Sequence, residues 1–158
     1  MSRAVRTEVR PYDDPVASGL VAEVQAEYLM RYGGMDRSAV DPAEFAPPRG
    51  LFLVGWLDGA AVACGGWRAH PEPVAGRAAV EVKRMYVAAG ARRCGLASRL
   101  LAELESTAAA AGFGYVVLST GNRQPEAIAL YQERGYHAVP PFGTYASSAS
   151  AWFFGKSL

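Results

Sequence analysis

A chain of 158 residues has the length of one domain, and a content of 51% hydrophobic and 20% charged residues excludes intrinsic disorder. Sixteen Lys and Arg against 15 Asp and Glu leave a formal net charge of +1, so the broad cationic field of a nucleic-acid binder is missing and nothing points to a membrane surface. Cys64 and Cys94 make no disulfide framework, and no CxxC or Cys/His cluster suggests a metal site. Met1-Ser2-Arg3-Ala4 leads into a charged stretch without an apolar signal core, and no run approaches the ~18 to 20 apolar residues of a membrane-spanning helix. The expectation is one soluble, cytoplasmic domain.

In chain order, Thr7 to Arg10 alternates and stops at Pro11, which predicts a short strand. Asp14-Pro15 supplies an N-cap with Pro at the first helical position, and Val16, Leu20, Val24, Tyr28 and Leu29 follow at helical spacing up to Tyr32-Gly33-Gly34. Asp41-Pro42-Ala43-Glu44 carries a capping-box pattern for a short helix that Pro47 and Pro48 stop. Leu51 to Leu57 and Ala60 to Trp67 flank Asp58-Gly59, a hairpin signal. Ala79 to Val87 predicts the next strand. Leu96, Leu100, Leu104 and Ala108 define one face of a long helix with Gly112 as its C-cap. Tyr115 to Thr120 predicts a buried strand, and Pro125 to Arg134 a helix closed by Gly135. Tyr136 to Val139 and Ala151 to Phe154 are two last strands around a Pro/Gly/Ser-rich stretch. The whole predicts a mixed α/β sheet, antiparallel in its first half, with helical crossovers behind.

The strand Glu81-Val82-Lys83-Arg84-Met85-Tyr86-Val87 runs through a small-residue loop into Arg92-Arg93-Cys94-Gly95-Leu96-Ala97 at a helix start. Free amide groups and the helix dipole make such a point suited to anionic phosphate. Gly95 permits close approach of a ligand to the backbone, and Arg92, Arg93 and Arg99 add positive charge. The same residues also fit an ordinary strand-loop-helix connection with solvated arginines. GxxxxGK[ST] and GxGxxG are both absent, so neither a Walker loop nor a dinucleotide fold is supported.

Arg92-x-x-Gly95-x-Ala97 resembles the Q/R-x-x-G-x-G/A pattern of the GNAT superfamily of N-acetyltransferases. The preceding Glu-Val-Lys-Arg-Met-Tyr-Val strand and the later Asn122-Arg-Gln-Pro-Glu-Ala-Ile-Ala-Leu-Tyr131-x-x-x-Gly135-Tyr136 segment are similar to the family in order and spacing, over roughly residues 50 to 140. The resemblance implies a GNAT-like central sheet with helices on both faces and a splayed parallel pair, Glu81 to Val87 beside Tyr115 to Thr120. It implies acetyl-CoA as acyl donor, with no metal. Met85, Tyr86 and Val87 would lie along the pantetheine arm as an added strand does. The pyrophosphate would rest on the backbone of Arg92, Arg93, Cys94, Gly95, Leu96 and Ala97, with Ser98 nearby, and Asn122 would touch the arm. Pro125 intrudes in this segment, whose spacing varies within the family.

The resemblance also assigns roles in catalysis. Tyr131 matches a tyrosine whose phenol protonates the leaving thiolate; spacing alone favours helix core with Leu130 and Ala127, and the resemblance reverses that preference. Glu81 matches a general base found in some members, to take the proton of the attacking amine; the alternative is an ion pair with Arg77 or Lys83. Tyr28, Arg31 and Tyr32 end the first helix, at one wall of the family's acceptor site, or simply cap a surface helix. Arg68, Trp67 and Tyr145 are weaker candidates for the same pocket, with Trp67 better suited to core. Cys94 has no His or Asp partner and reads as an adventitious thiol. The implied activity is transfer of an acetyl group to a primary amine of a small molecule by direct attack on the thioester, the backbone N–H of Val87 or a neighbour polarising the carbonyl. Alternatives are a non-catalytic acyl-CoA-binding or sensor module, and an acetyltransferase acting on a protein amine. Clustered Lys/Arg for a tRNA acceptor is lacking. A homodimer is an expectation from the resemblance alone.

Overall fold

The computed structural model describes residues 3–158. Met1 and Ser2, the start of the stretch without an apolar leader core, lie outside the described residues. The chain forms β1 (Val5–Val9), α1 (Pro15–Tyr32), β2 (Gly50–Leu57), β3 (Ala60–Ala69), β4 (Ala79–Val87), α2 (Leu96–Ala110), β5 (Tyr115–Gly121), α3 (Pro125–Glu133), β6 (His137–Ala138) and β7 (Ala151–Ser157). Each helix starts where the residues dictate. The Asp14 carboxylate accepts from Val16 N and Ala17 N at 2.9 and 3.2 Å, with Pro15 in the first turn, which has no amide to satisfy. The Asp41 capping box forms as expected, but the residues behind it make only a one-turn 3-10 helix, Pro42–Phe45.

The sheet has seven strands in the order β1-β2-β3-β4-β5-β7-β6. The first four pair antiparallel, β4 and β5 pair parallel across the α2 crossover, and β7 inserts between β5 and β6. That insertion was not expected from chain order, and it leaves β6 as a two-residue edge, shorter than the Tyr136 to Val139 strand of the sequence reading. Leu96, Leu100, Leu101, Leu104 and Ala108 of α2 bury against one face of the sheet with Leu53, Val80, Val116 and Leu118. Ala17 and Leu20 of α1 cover the other face over Phe52, Val54 and Phe45, where Tyr12 stacks on Phe45 at 5.0 Å between ring centroids. No helix among the described residues is long and apolar enough to cross a membrane.

Two irregularities shape the centre of the sheet. The parallel ladder between β4 and β5 covers only Ala79↔Tyr115, Val80↔Val116 and Glu81↔Val117, after which the strands part. In addition, β4 carries a bulge. Cys64 and Gly66 on β3 face Tyr86 and Lys83, so two steps on one strand are matched by three on the other, and Arg84 adopts φ +62°. Gly65 lies opposite the bulge, where a Cβ would come 2.5 Å from Met85 Sδ and force that side chain to shift.

Candidate active site

The loop from β4 to α2 is built to leave amides open. The first intrahelical bond of α2 runs from Arg99 N to Gly95 O at 3.0 Å, and no side chain among the described residues caps the helix. Gly95 sits at φ +79° with nothing within 4 Å of the position a Cβ would take, and Arg93 is also left-handed at φ +65°. Amides from Arg93 to Ser98 therefore ring an open, positively polarised helix start, with the exposed side chains of Arg93 and Arg99 beside it. This donor set fits a diphosphate held by main chain. Arg92 does something else: its Nε donates to Val87 O at 2.8 Å and its Nη2 to Glu27 at 2.5 Å, which ties the loop to β4 and α1. Leu96 is core by its side chain and offers only its amide. Ser98 Oγ accepts from Arg134 Nη1 at 3.3 Å, which brings one more cation to this end of the helix.

Past Glu81 the gap between β4 and β5 opens into a cavity of about 900 Å³. Alternate residues of an antiparallel strand direct their amides to the same neighbour. Ala88 N donates to Val62 O, so Val87 between its neighbours directs N–H and C=O toward the gap, where Arg92 already holds the carbonyl. Met85 lines the cavity from β4, and Ser119, Thr120 and Gly121 line it from β5. From α3 come Gln124, whose Oε1 accepts from Thr120 Oγ1 at 2.9 Å, and Tyr131. Tyr131 is 6% exposed and packs among Tyr136 and Phe154 at ring distances of 5.7 and 6.3 Å. Among the described residues no group bonds to or charges its hydroxyl; burial alone pushes the phenol above its ordinary value, so it stays protonated across the physiological range.

The opposite wall belongs to α1 and the loop after it. Tyr28 lies in the cavity wall, its phenol raised by burial and then by the nearby Tyr131. Asp36 is the one carboxylate in the wall among the described residues. Its Oδ1 accepts from Ser38 N at 2.9 Å, Ser38 Oγ at 2.7 Å and Tyr145 OH at 2.9 Å. Its Oδ2 accepts from Lys83 Nζ at 3.2 Å and from Arg84 Nη1. Burial by itself would raise this carboxyl, but Lys83, the Ser38 bonds and Arg84 together hold it well below the carboxylate range. It is therefore a saturated anion, not a base.

The expected site residues divide accordingly. Tyr131, Met85, Tyr28, Tyr32 and Tyr145 all meet at the cavity. Glu81 does not. Its Oε1 takes Arg68 Nε and Nη2 at 3.2 and 3.1 Å, and its Oε2 lies 4.0 Å from Lys83, outside the cavity wall. The ion-pair alternative is what forms, with Arg68 as the main partner. Arg31 also stays out of the wall: it pairs with Glu126 at 2.6 Å and donates to Arg123 O at 2.7 Å, fastening α1 to the start of α3. Asn122 is exposed beyond β5, its amide on Ser150 O at 2.8 Å, and Gln124 takes the place on the wall instead. The Tyr86 hydroxyl points away to Glu23 at 3.2 Å. Trp67 is core, its indole N–H on Thr107 Oγ1 at 3.0 Å. Asp36, Lys83, Arg84, Thr120 and Gln124 went unread as site residues. Simple strand alternation puts Lys83 and Arg84 on opposite faces, and only the bulge puts them on one.

Comparison with known proteins agrees with this architecture. The acetyltransferase (GNAT) family model matches residues 20–136. A protein named IAA acetyltransferase from Azospirillum brasilense is 34% identical over 148 residues, covering 94% of each chain. A Klebsiella pneumoniae structure described as a candidate acyl-CoA N-acyltransferase superposes with a TM-score of 0.76 at 28% identity, over 98% of this chain and 97% of that one. The fold is shared as well with a GNAT acetyltransferase from Elizabethkingia anophelis solved with acetyl-CoA bound, at TM-score 0.68 and 13% identity over 98% of each chain. A sheet parted after Glu81, an uncapped helix start behind it and a matching family model over most of the length carry one conclusion: the chain belongs to the GNAT acetyltransferase family.

Proposed function

We propose that the protein moves an acetyl group from acetyl-CoA to the primary amine of a small molecule, by direct attack and without a covalent enzyme intermediate. The observation that carries this reading is the Tyr131 hydroxyl, protonated and unbonded among the described residues, in the wall of the cavity that opens where β4 and β5 part. Acetyl-CoA supplies the activated thioester. The amides from Arg93 to Ser98 hold its diphosphate, and the parted edge of β4 takes the pantetheine amides as a strand would. The Val87 N–H faces the gap and polarises the acyl carbonyl. As the N–C bond forms and the C–S bond breaks, Tyr131 gives its proton to the departing sulfur.

The amine must arrive unprotonated. No carboxylate free to serve as base lines the cavity among the described residues, because Asp36 is saturated. The positive charges of Lys83 and Arg84 disfavour an ammonium beside them, so the neutral amine is the form that binds and its surplus proton leaves through water. The test is thiol release from acetyl-CoA with a panel of small amines and peptide N-termini. Amine-dependent release, strongest with small amines and cut in Tyr131→Phe, is expected. Acetyl-CoA binding without release in any case would make the protein a binding module instead.

A further inference from the structure

We infer that the acceptor amine carries a carboxylate, and that Arg84 together with Lys83 is its docking point; this rests on the acyl-transfer reading above. Strand alternation would send one of these two side chains to the α2 face. The bulge in β4 instead turns both toward α1, at the cost of a left-handed backbone at Arg84. Non-glycine residues in that conformation concentrate at functional sites. Both side chains are deeply buried, at 7% and 4% exposure for Lys83 and Arg84. Three cations, Arg37, Lys83 and Arg84, line the cavity against one anion, Asp36.

Asp36 is the one carboxylate within hydrogen-bond distance of the two buried cations among the described residues, and Glu81 reaches Lys83 only at the limit of an ion pair. Glu81 is held by Arg68, which also reaches Glu44 at 3.2 Å, and comes no nearer to Lys83 than 4.0 Å. Arg84 uses Nη1 on Asp36 and Nε on Tyr12 OH at 3.2 Å, while Nη2 has no partner among the described residues. A buried cation with a free donor at a cavity wall calls for an anionic ligand. Placement gives the ligand its length. Tyr28, Tyr131, Lys83 and Arg84 all line the one cavity, so its wall holds both the point of acyl transfer and the cationic pocket. One small molecule therefore spans the two, its amine toward Tyr131 and its carboxylate toward Arg84. The hydroxyl-rich wall from Ser147, Ser148 and Ser150 suits the polar skeleton of an amino acid whose amine is neutral.

The experiment compares matched pairs, each an amino acid and its carboxamide, at equal concentration of the neutral amine, with acetyl-CoA affinity measured separately by calorimetry. The expected result is a kcat/KM for the acid at least about tenfold above that for the amide, chiefly through KM. In Arg84→Met the preference should fall to about twofold or less; Lys83→Gln, which leaves the bulge and the Arg84–Asp36 pair in place, should reduce it in the same direction. Equal or reversed preference in the wild-type protein, with acetyl-CoA bound and amines acetylated, would overturn the carboxylate inference alone. Failure to bind acetyl-CoA, or to acetylate either member of any pair, would overturn the acyl-transfer reading and this inference with it.

Discussion

The two ends of the site are made of different material. The helix start at Gly95 presents main-chain amides in one continuous stretch of sequence, with side chains pointing elsewhere: Leu96 to the core, Arg92 to Val87 and Glu27. The cavity beyond Glu81 is made of side chains drawn from α1, the loop at Asp36, β4, β5, α3 and the loop before β7. Main chain suits a ligand common to a whole family, because every residue supplies the same N–H. Side chains suit a ligand that differs from one member to the next.

If that division holds, the two ends can be damaged separately. Gly95→Glu places a carboxylate and a strained φ in the phosphate cradle and should weaken acetyl-CoA binding by at least about a thousandfold, about 4 kcal/mol, with the chain still folded. Calorimetry and a thermal melt check this, and near-normal affinity would place the diphosphate elsewhere. Asp36→Asn leaves Lys83 and Arg84 unbalanced in the interior and should cost about 3 kcal/mol of folding stability at neutral pH. The Asp36 carboxyl is depressed in the folded state, so its contribution is full above its unfolded value, ordinarily 3.8, and is lost as pH falls through the folded value. Urea titrations of both proteins should therefore converge as the solution becomes strongly acidic; a gap that widens in acid would reverse the assignment.

Tyr131→Phe touches only the cavity. It should lower kcat by about tenfold to a thousandfold and leave acetyl-CoA affinity within about twofold. A parallel loss of affinity would mean the ring shapes the cofactor cleft and the phenol is not the acid. The smallest effect belongs to Arg31→Met, which removes the half-exposed pair with Glu126 and should cost about 0.5 kcal/mol of stability, read from the midpoint of denaturation. A change of acceptor KM in that variant would return Arg31 to the acceptor wall.

How far the residues foretold the site follows the same line. The helix caps at Asp14 and Asp41, the hairpin at Asp58-Gly59 and the leucine face of α2 are local signals, and each appears where it was expected. The Arg92 to Ala97 turn is equally local. Tyr131 and Tyr28 were legible only through the family resemblance, since their spacing alone fits helix core. Glu81 was misplaced because spacing along a strand does not say which arginine folds beside it; Arg68 is its direct neighbour across β3 and β4. Arg84 escaped notice because a one-residue bulge reverses the alternation on which strand readings depend. Gln124 in place of Asn122 follows from the exact turn between β5 and α3, which Pro125 at the helix start sets.

By itself the amino-acid order determined where elements begin and end and that a glycine-led turn with open amides starts α2, because capping, periodicity and glycine placement act within a few residues of chain. Only the folded sheet decided that β4 and β5 part after Glu81, that Lys83 and Arg84 share a face, and that Asp36 lies saturated between them. Those facts depend on register and on partners tens of residues away, which strand pairing and burial set together and no local pattern encodes.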